Sequence, residues 1–361
     1  MWPTTRLTNL LGIEHPIVQA PMAGACTPEL VAAVSNAGGL GSYGAAAAPP
    51  AKLREVIQRI RALTDRPFAV NLFAPSVEHC EVSAAQLQAM ARLLAPWHEE
   101  LGAGPVPDVS PIIGPFDEQL TVLLEERVPV FSFHFGPPPL EAIERAHAAG
   151  ARVMASATTV REARMLADAG VDAIVAQGAE AGGHRATFAG PSEQALTGTL
   201  GLVPQIVDAV SLPVIAAGGI MDARGIVAAF ALGASGVQMG TAFLACPENS
   251  IPPVYKEAVL RATDEDTVVT EAFSGRPARA VRNRYVEEMA PHRDKVLPFP
   301  AQMSIGRALR QASARAGRPD FVSIWAGQAA RLARARPAAQ LMDEWVRECG
   351  ALLASLGRAH P

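Results

Sequence analysis

The chain has 361 residues, 49% of them hydrophobic, with a mean hydropathy of +0.17. That is enough apolar mass to bury a sizeable core, as one large unit with an appendage or as two average domains. Basic and acidic residues number 31 and 35, for a net charge of −4. That balance excludes the basic surface that nucleic acid or an anionic membrane requires of a partner.

The start, Met1-Trp2-Pro3-Thr4-Thr5-Arg6, lacks the basic-then-apolar order of a secretory leader, and no uncharged apolar run is long enough to span a bilayer. The expectation is a cytoplasmic protein, with a homodimeric state left open. Basic residues gather late, from Arg276 to Arg293 and from Arg307 to Arg336. Ala and acidic residues interrupt them, so they read as solvated helix faces. Cys26, Cys80, Cys246 and Cys349 lie far apart, with no CxxC pair and no nearby histidine ligand. No metal site and no disulfide framework is expected.

Along the chain, short apolar runs alternate with amphipathic stretches. The runs are Pro16 to Met22, Gly39 to Tyr43, Phe68 to Phe73, Val128 to Phe135, Arg152 to Ser156, Ala173 to Gln177, Pro213 to Ala217 and Gly236 to Gly240. Each reads as a buried parallel strand. Helical period marks Pro28 to Asn36, Ala51 to Leu63, Leu140 to Ala149, Val160 to Ala169 and Ala223 to Leu232. Thr27, Thr159 and Asp222 stand at N-cap positions, while Gly38, Gly150, Gly170 and Gly233 stand where helices stop.

Eight strands, each followed by a helix, predict an α/β protein with a closed (β/α)8 barrel of the TIM type, rather than an open doubly wound sheet. The long interval from Phe73 to Val128 predicts extra helix, and Gly178 to Ser211 carries a glycine-rich loop before its helix. After Phe243 the strand rhythm stops. The expected division is a barrel over residues 1–246 and an appended, mainly helical segment over 247–361 that covers the barrel mouth.

In such barrels the reacting groups sit at the C-terminal strand ends, and phosphate is often held by the loops after the last two strands. Ala216-Ala217-Gly218-Gly219-Ile220 ends the seventh run and Gln238-Met239-Gly240-Thr241-Ala242 the eighth. Glycines there let backbone N–H groups close on phosphate oxygens, helped by the start of the next helix. Gly218, Gly219, Gln238, Met239, Gly240 and Thr241 are therefore candidate cofactor contacts. The sixth run ends Gln177-Gly178-Ala179-Glu180-Ala181-Gly182-Gly183-His184-Arg185. Gln177 can hydrogen-bond the polar edge of a bound ring, Gly182 and Gly183 permit close backbone approach, and His184 projects towards the mouth. An imidazole titrating near neutrality suits proton abstraction from a carbon acid or stabilisation of an anionic substrate.

Asn71 ends the third run, where an unpaired amide would be costly, so it is expected to meet cofactor oxygens. His134 ends the fourth and is either a hydrogen-bonded core histidine or a second site residue. Met22, ending the first, can pack against a flat ring.

Together these segments resemble the nitronate monooxygenases, formerly 2-nitropropane dioxygenases, of the class I group. The resemblance runs from Leu11-Gly12-Ile13 to Trp325-Ala326-Gly327-Gln328. Its specific elements include Gln19-Ala20-Pro21-Met22, Ser35-Asn36-Ala37-Gly38-Gly39-Leu40-Gly41, Val70-Asn71-Leu72-Phe73, Ser132-Phe133-His134-Phe135-Gly136 and Glu180-Ala181-Gly182-Gly183-His184-Arg185.

The resemblance implies that Asn71, Gln177, Gly182, Gly219 and Gln238 to Thr241 bind FMN and that His184 is catalytic. It also implies oxidation of alkyl nitronates, with nitroalkanes as further candidates, by O2 to a carbonyl compound and nitrite. No nicotinamide is needed. The departure from the family lies in the cover, where Phe299, Met303 and Arg307 stand at its tyrosine, tyrosine and lysine positions. Losing phenol donors makes the substrate pocket, assigned to His134, Phe299 and Met303, more apolar. Two other readings compete: an FMN-dependent NAD(P)H reductase of quinones or enoyl thioesters, and a flavin-binding scaffold without catalysis. His184 argues against the scaffold.

Overall fold

The computed structural model describes residues 4–75 and 81–356; His79, Cys80 and His360 lie outside them. Strands β1 (Ile17–Gln19), β2 (Gly41–Gly44), β3 (Phe68–Phe73), β4 (Val130–His134), β5 (Arg152–Ala157) and β6 (Ala173–Gln177) follow the predicted runs. β7 (Gly183–His184) is a two-residue strand in the loop after β6, and β8 (Val214–Ala217) and β9 (Gly236–Met239) complete the set. Eight of these are parallel in the order β1-β9-β8-β6-β5-β4-β3-β2. The ring closes where Gln19 N–H donates to Leu40 O and Leu40 N–H to Ile17 O, both at 2.9 Å. The fold is thus a (β/α)8 barrel.

Helices α1 (Arg6–Leu11), α2 (Pro28–Asn36), α3 (Pro50–Leu63), α4 (Ala84–Glu100), α5 (Phe116–Glu125), α6 (Leu140–Ala148), α7 (Val160–Asp168), α8 (Thr199–Ala209) and α9 (Ala223–Ala231) accompany the strands. Local chemistry sets their starts. Thr27 Oγ1 accepts from Leu30 N–H, Thr159 Oγ1 from Glu162 N–H and an Asp222 carboxylate oxygen from Arg224 N–H, as the sequence predicts. The extra helix expected before β4 is the pair α4 and α5.

Alternation along each strand sorts the core into two layers. Val18, Val130, Met154, Val175 and Ile215 point into the barrel, which Leu7 and Leu11 of α1 plug at the N-terminal end. Ile17, Val70, Phe131, Phe133, Ile174, Val237 and Met239 face the helices. Asn71, His134, Gln177 and Gln238 at the strand C-termini share the inward parity, so they project into the mouth.

Beyond β9 come α10 (Pro253–Arg261), β10 (Thr267–Thr270), β11 (Ala278–Val281), α11 (Arg284–Met289), α12 (Ala301–Ile305), α13 (Arg307–Arg315) and α14 (Ala338–Leu356). The segment is mainly helical, as expected, but it also holds two antiparallel strands. β11 pairs on its other edge with β7, Ala278 opposite His184 and Arg279 opposite Gly183. Four-residue strands carry too little periodicity to stand out in sequence, and the third strand comes from nearly a hundred positions away.

The last helix differs in another way. α14 returns to the barrel wall between α2 and α9, where Leu341, Met342 and Trp345 are buried in the helix layer. It takes the place of the helix that should follow β9. A boundary at 246/247 therefore marks the end of the strand rhythm, whereas the packing closes the ring with the far end of the chain.

Among the described residues, Cys26, Cys246 and Cys349 are free and buried. No cluster of His, Cys, Asp and Glu there is arranged to hold a metal, and no helix is long and apolar enough to cross a membrane.

Candidate active site

A cavity of about 540 Å³ opens at the C-terminal ends of the barrel strands. Met22, Asn71, His134, Gln177, Gly182, Gly183, His184, Gly218, Gly219, Gln238, Gly240 and Thr241 line it, with Phe299 and Met303 from the cover. Met239 does not. Strand alternation turns Gln238 into the mouth and Met239 into the outer layer, where it is 1% exposed.

Among the described residues, no acceptor meets the amide N–H of Gly219, Ile220, Gly240 or Thr241. These four lie at the ends of β8 and β9 and line the cavity. Unpaired backbone donors at a cavity wall call for an acceptor from a bound molecule. The neighbouring helix starts add less than the sequence suggested. Glu180 caps α8 by accepting from Thr199 N–H and Oγ1–H at 2.8 and 2.9 Å, and Asp222 caps α9. The loop amides, not the helix dipoles, are the available anion ligands.

The loop carrying His184 is held from three sides. Gln177 Nε2 donates to His184 O at 3.1 Å, and its Oε1 accepts from Ala186 N–H at 2.9 Å. Much of this amide therefore serves as a clamp, leaving one N–H for a ligand. Arg185, 1% exposed, donates to the carbonyls of Gly178, Gln177 and Ala195. From above, Gly327 N–H donates to Thr241 Oγ1 and Gln328 N–H to Glu180 O, both at 2.9 Å. This strap explains Gly182: a Cβ there would lie 2.6 Å from the backbone of Ala326 and Gly327. Asn71 gives one N–H to Ser132 Oγ at 3.0 Å and keeps its other N–H and its oxygen for the cavity.

His184 Nε2 lies 2.9 Å from Ser274 Oγ. Ser274, fully buried, donates to Arg276 O at 3.1 Å, so its oxygen is left to accept from His184 Nε2–H. Nδ1 then carries the lone pair, with no protein partner among the described residues. Burial, then the neighbouring His134 and Arg276, push the His184 imidazole down to about 3. Burial and Arg276 likewise push His134 down to about 4. The expectation of an imidazole titrating near neutrality is corrected: both rings are neutral in the free protein. His134 also reaches His184 O at 3.4 Å, so the second site residue and the hydrogen-bonded histidine are one and the same.

The outer wall is aromatic. Phe299 lies 5.5 Å from the His184 ring and Trp325 5.3 Å, centroid to centroid. Phe73, Phe135, Ile113 and Met303 pack around Phe299. None of the three tyrosines presents its phenol to this wall: Tyr255 lines the cavity but donates to Trp325 O at 2.8 Å, and Tyr43 and Tyr285 lie outside it.

The cavity is also electropositive. No described carboxylate lines it, whereas Arg307 and Arg310 do. Arg310 donates only to backbone carbonyls of Met303 and Phe273, and burial pushes it down to about 10. The late basic cluster is thus only partly a solvated face. Sequence reasoning missed Ser274, Arg276, Arg310 and Trp325, because their importance lies in what the fold sets beside them.

A barrel with its polar residues converging on one carboxylate-free cavity, around a fixed histidine, defines a (β/α)8-barrel enzyme. The sequence profile of the nitronate monooxygenase family matches residues 4–348. A probable nitronate monooxygenase of Staphylococcus aureus (strain Newman) is 42% identical over 359 residues, 98% of this chain and 99% of that protein. Among solved structures, the nitroalkane oxidase from Streptomyces ansochromogenes superposes with a TM-score of 0.88 at 39% identity, covering 97% and 99% of the two chains. FabK from Thermotoga maritima gives 0.77 at 36% identity, covering 99% and 100%. The chain belongs to the nitronate monooxygenase family and is an oxidoreductase, and these relatives support the oxidation of nitro compounds as its chemistry.

Proposed function

We propose that this protein binds FMN and oxidises alkyl nitronates with O2 to carbonyl compounds and nitrite. The observation that carries the reading is the pairing of four unpartnered amides, at Gly219, Ile220, Gly240 and Thr241, with a carboxylate-free cavity that contains His184. The residues fit the cofactor. The four amides suit one phosphate, Asn71, Gln177 and Gln238 supply side-chain amides, and Met22, Gly182, Gly183 and Gly218 allow close contact with a flat ring. Bound FMN would supply the electron acceptor that passes electrons from substrate to O2.

The chain's own residues then choose the substrate. An anion is favoured in a cavity whose charged lining is Arg307 and Arg310. His184, held by Ser274, offers Nδ1 as a proton acceptor beside the bound molecule. A base whose pKa lies so far below neutrality removes a carbon-bound proton poorly. Preformed nitronates are therefore better substrates than neutral nitroalkanes. Phe299, Met303 and the rings around them keep water from the reacting end and receive the alkyl group.

The test is to mix the purified protein with propyl-2-nitronate in air, with no nicotinamide, and follow O2 uptake and nitrite. Heat-released cofactor should run as FMN. Bleaching of the yellow colour by NADH, with no response to the nitronate, would replace this reading with a reductase acting on quinones or enoyl thioesters.

A further inference from the structure

Arg276 sits in the turn between β10 and β11, two residues beyond Ser274, and takes no part in the chemistry above. Its guanidinium carbon lies 3.9 Å from the centroid of the Phe135 ring. One arm donates to Thr187 O at 2.6 Å. Among the described residues, it forms no ion pair or hydrogen bond with a carboxylate. The carboxylate whose field reaches it, Glu162, is itself engaged by neutral donors: Thr158 N–H and Oγ1–H at 2.7 and 2.6 Å, and the N–H groups of Phe188 and Ala189 at 2.6 and 2.9 Å. Those bonds fix the loop that offers Thr187 O, so the arginine is braced by a rigid network yet keeps its charge.

The ring beneath it is itself unusual. Phe135 is buried and holds φ at +71°, a left-handed conformation that costs a bulky residue energy and persists only when its surroundings impose it. A cation face-on to an aromatic ring supplies such a constraint. Phe135 packs edge-on against both site imidazoles, at 4.6 Å from His134 and 5.8 Å from His184.

We propose that Arg276 is a positioning residue for both histidines. Seated over the Phe135 ring and in direct contact with no carboxylate, its charge disfavours a second cation on the two rings and leaves the space before them to an anion. Arg276 does not line the cavity; it acts through Phe135 and through its field. The other charged groups facing these rings are Arg185, adjacent in the chain, and His134 and His184 themselves. Arg279 stands beside Arg185, while Glu162 and Glu180 lie behind the arginines and offset them in part. Burial is the larger cause of the low values of both histidines, and a like charge nearby acts in the same direction by disfavouring a charged imidazole.

The proposal rests on the cavity being the active site, and its test does not require turnover. Full-length protein with 13C-labelled histidine is titrated by NMR, with His134→Asn and His184→Asn assigning the two resonances. In Arg276→Met both midpoints should rise towards the ordinary histidine value, while Arg276→Lys, which keeps the charge without the planar stack, should leave them low. Unchanged midpoints in Arg276→Met would overturn the proposal. So would an equal rise in the lysine variant, which would make the stacking, not the charge, responsible. Should Arg276→Met not fold, Arg276→Gln carries the same two outcomes. Failure to oxidise nitronates would leave this result untouched, so the two readings fail separately.

Discussion

Ser274 and His184 stand 90 positions apart, yet Ser274 Oγ and His184 Nε2 meet at 2.9 Å because β11 pairs with β7. The strand pairing fixes the ring, and the serine fixes which nitrogen holds the proton. Removing the hydroxyl should free both. Ser274→Ala is expected to retain its cofactor and lose about 10-fold in turnover, the worth of roughly one hydrogen bond. Ser274→Thr should recover part of that loss. Equal rates in wild type and Ser274→Ala, measured by nitrite release, would remove the serine from the mechanism.

His184→Ala should keep its flavin, since the loop amides and Asn71 do not depend on the imidazole. Turnover of a neutral nitroalkane, slow already because so weak a base removes a carbon-bound proton poorly, should fall by ~10²-fold, the lower end of the usual contribution of a proton-transferring group. A preformed nitronate should be less affected, because its proton is already gone. Wild-type rates on both substrates would return His184 to a structural role and make His134 the next residue to change.

The phosphate seat is best tested at Gly240. A Cβ there would lie 3.3 Å from Ala20 Cβ and 3.8 Å from Met22 Sδ, an accommodation the fold can make. Gly219 is a poorer choice: its φ of +74° strains any side chain, so lost flavin and lost stability could not be separated. Gly240→Val should purify with reduced flavin absorbance per chain and a near-normal melting temperature. A fully yellow variant would place the phosphate elsewhere.

Acidification should destabilise the protein through the two histidines. Their folded pKa values, about 4 for His134 and about 3 for His184, lie below the unfolded value of 6.5. Between those limits the unfolded chain binds more protons, so stability is complete above pH ~6.5 and declines as the pH falls towards 3. A melting-temperature series should show the fall, and the His134→Asn/His184→Asn double variant should flatten it. Parallel curves for the two proteins would show that other groups carry the acid sensitivity.

Phe299 and Met303 should set substrate polarity. Phe299→Tyr with Met303→Tyr places phenols on a wall that otherwise offers only rings and a thioether. The double variant is expected to lower KM for a carboxylated nitronate and raise it for propyl-2-nitronate. The reverse ranking would show that this wall does not contact the substituent.

The sequence by itself determined the barrel. Each strand is a short apolar run, and α2, α7 and α9 carry their own caps at Thr27, Thr159 and Asp222, so both signals lie within a few residues of one another. It also placed His184, Asn71 and Gln238 at strand ends, because inward and outward positions alternate and polar residues at inward strand ends have only the mouth to face. Tertiary structure decided the rest. Met239 was misplaced by reading a motif as a block, where the pleat sends alternate residues to opposite faces. The neutrality of His184 follows first from its burial and then from His134 and Arg276, a setting completed only when β11 lies along β7. The eighth helix was illegible as such because it is the last in the chain, joined to the ring by the burial of Leu341, Met342 and Trp345. Local signals fix elements; charge, tautomer and closure depend on partners distant in sequence, and only folding brings them into contact.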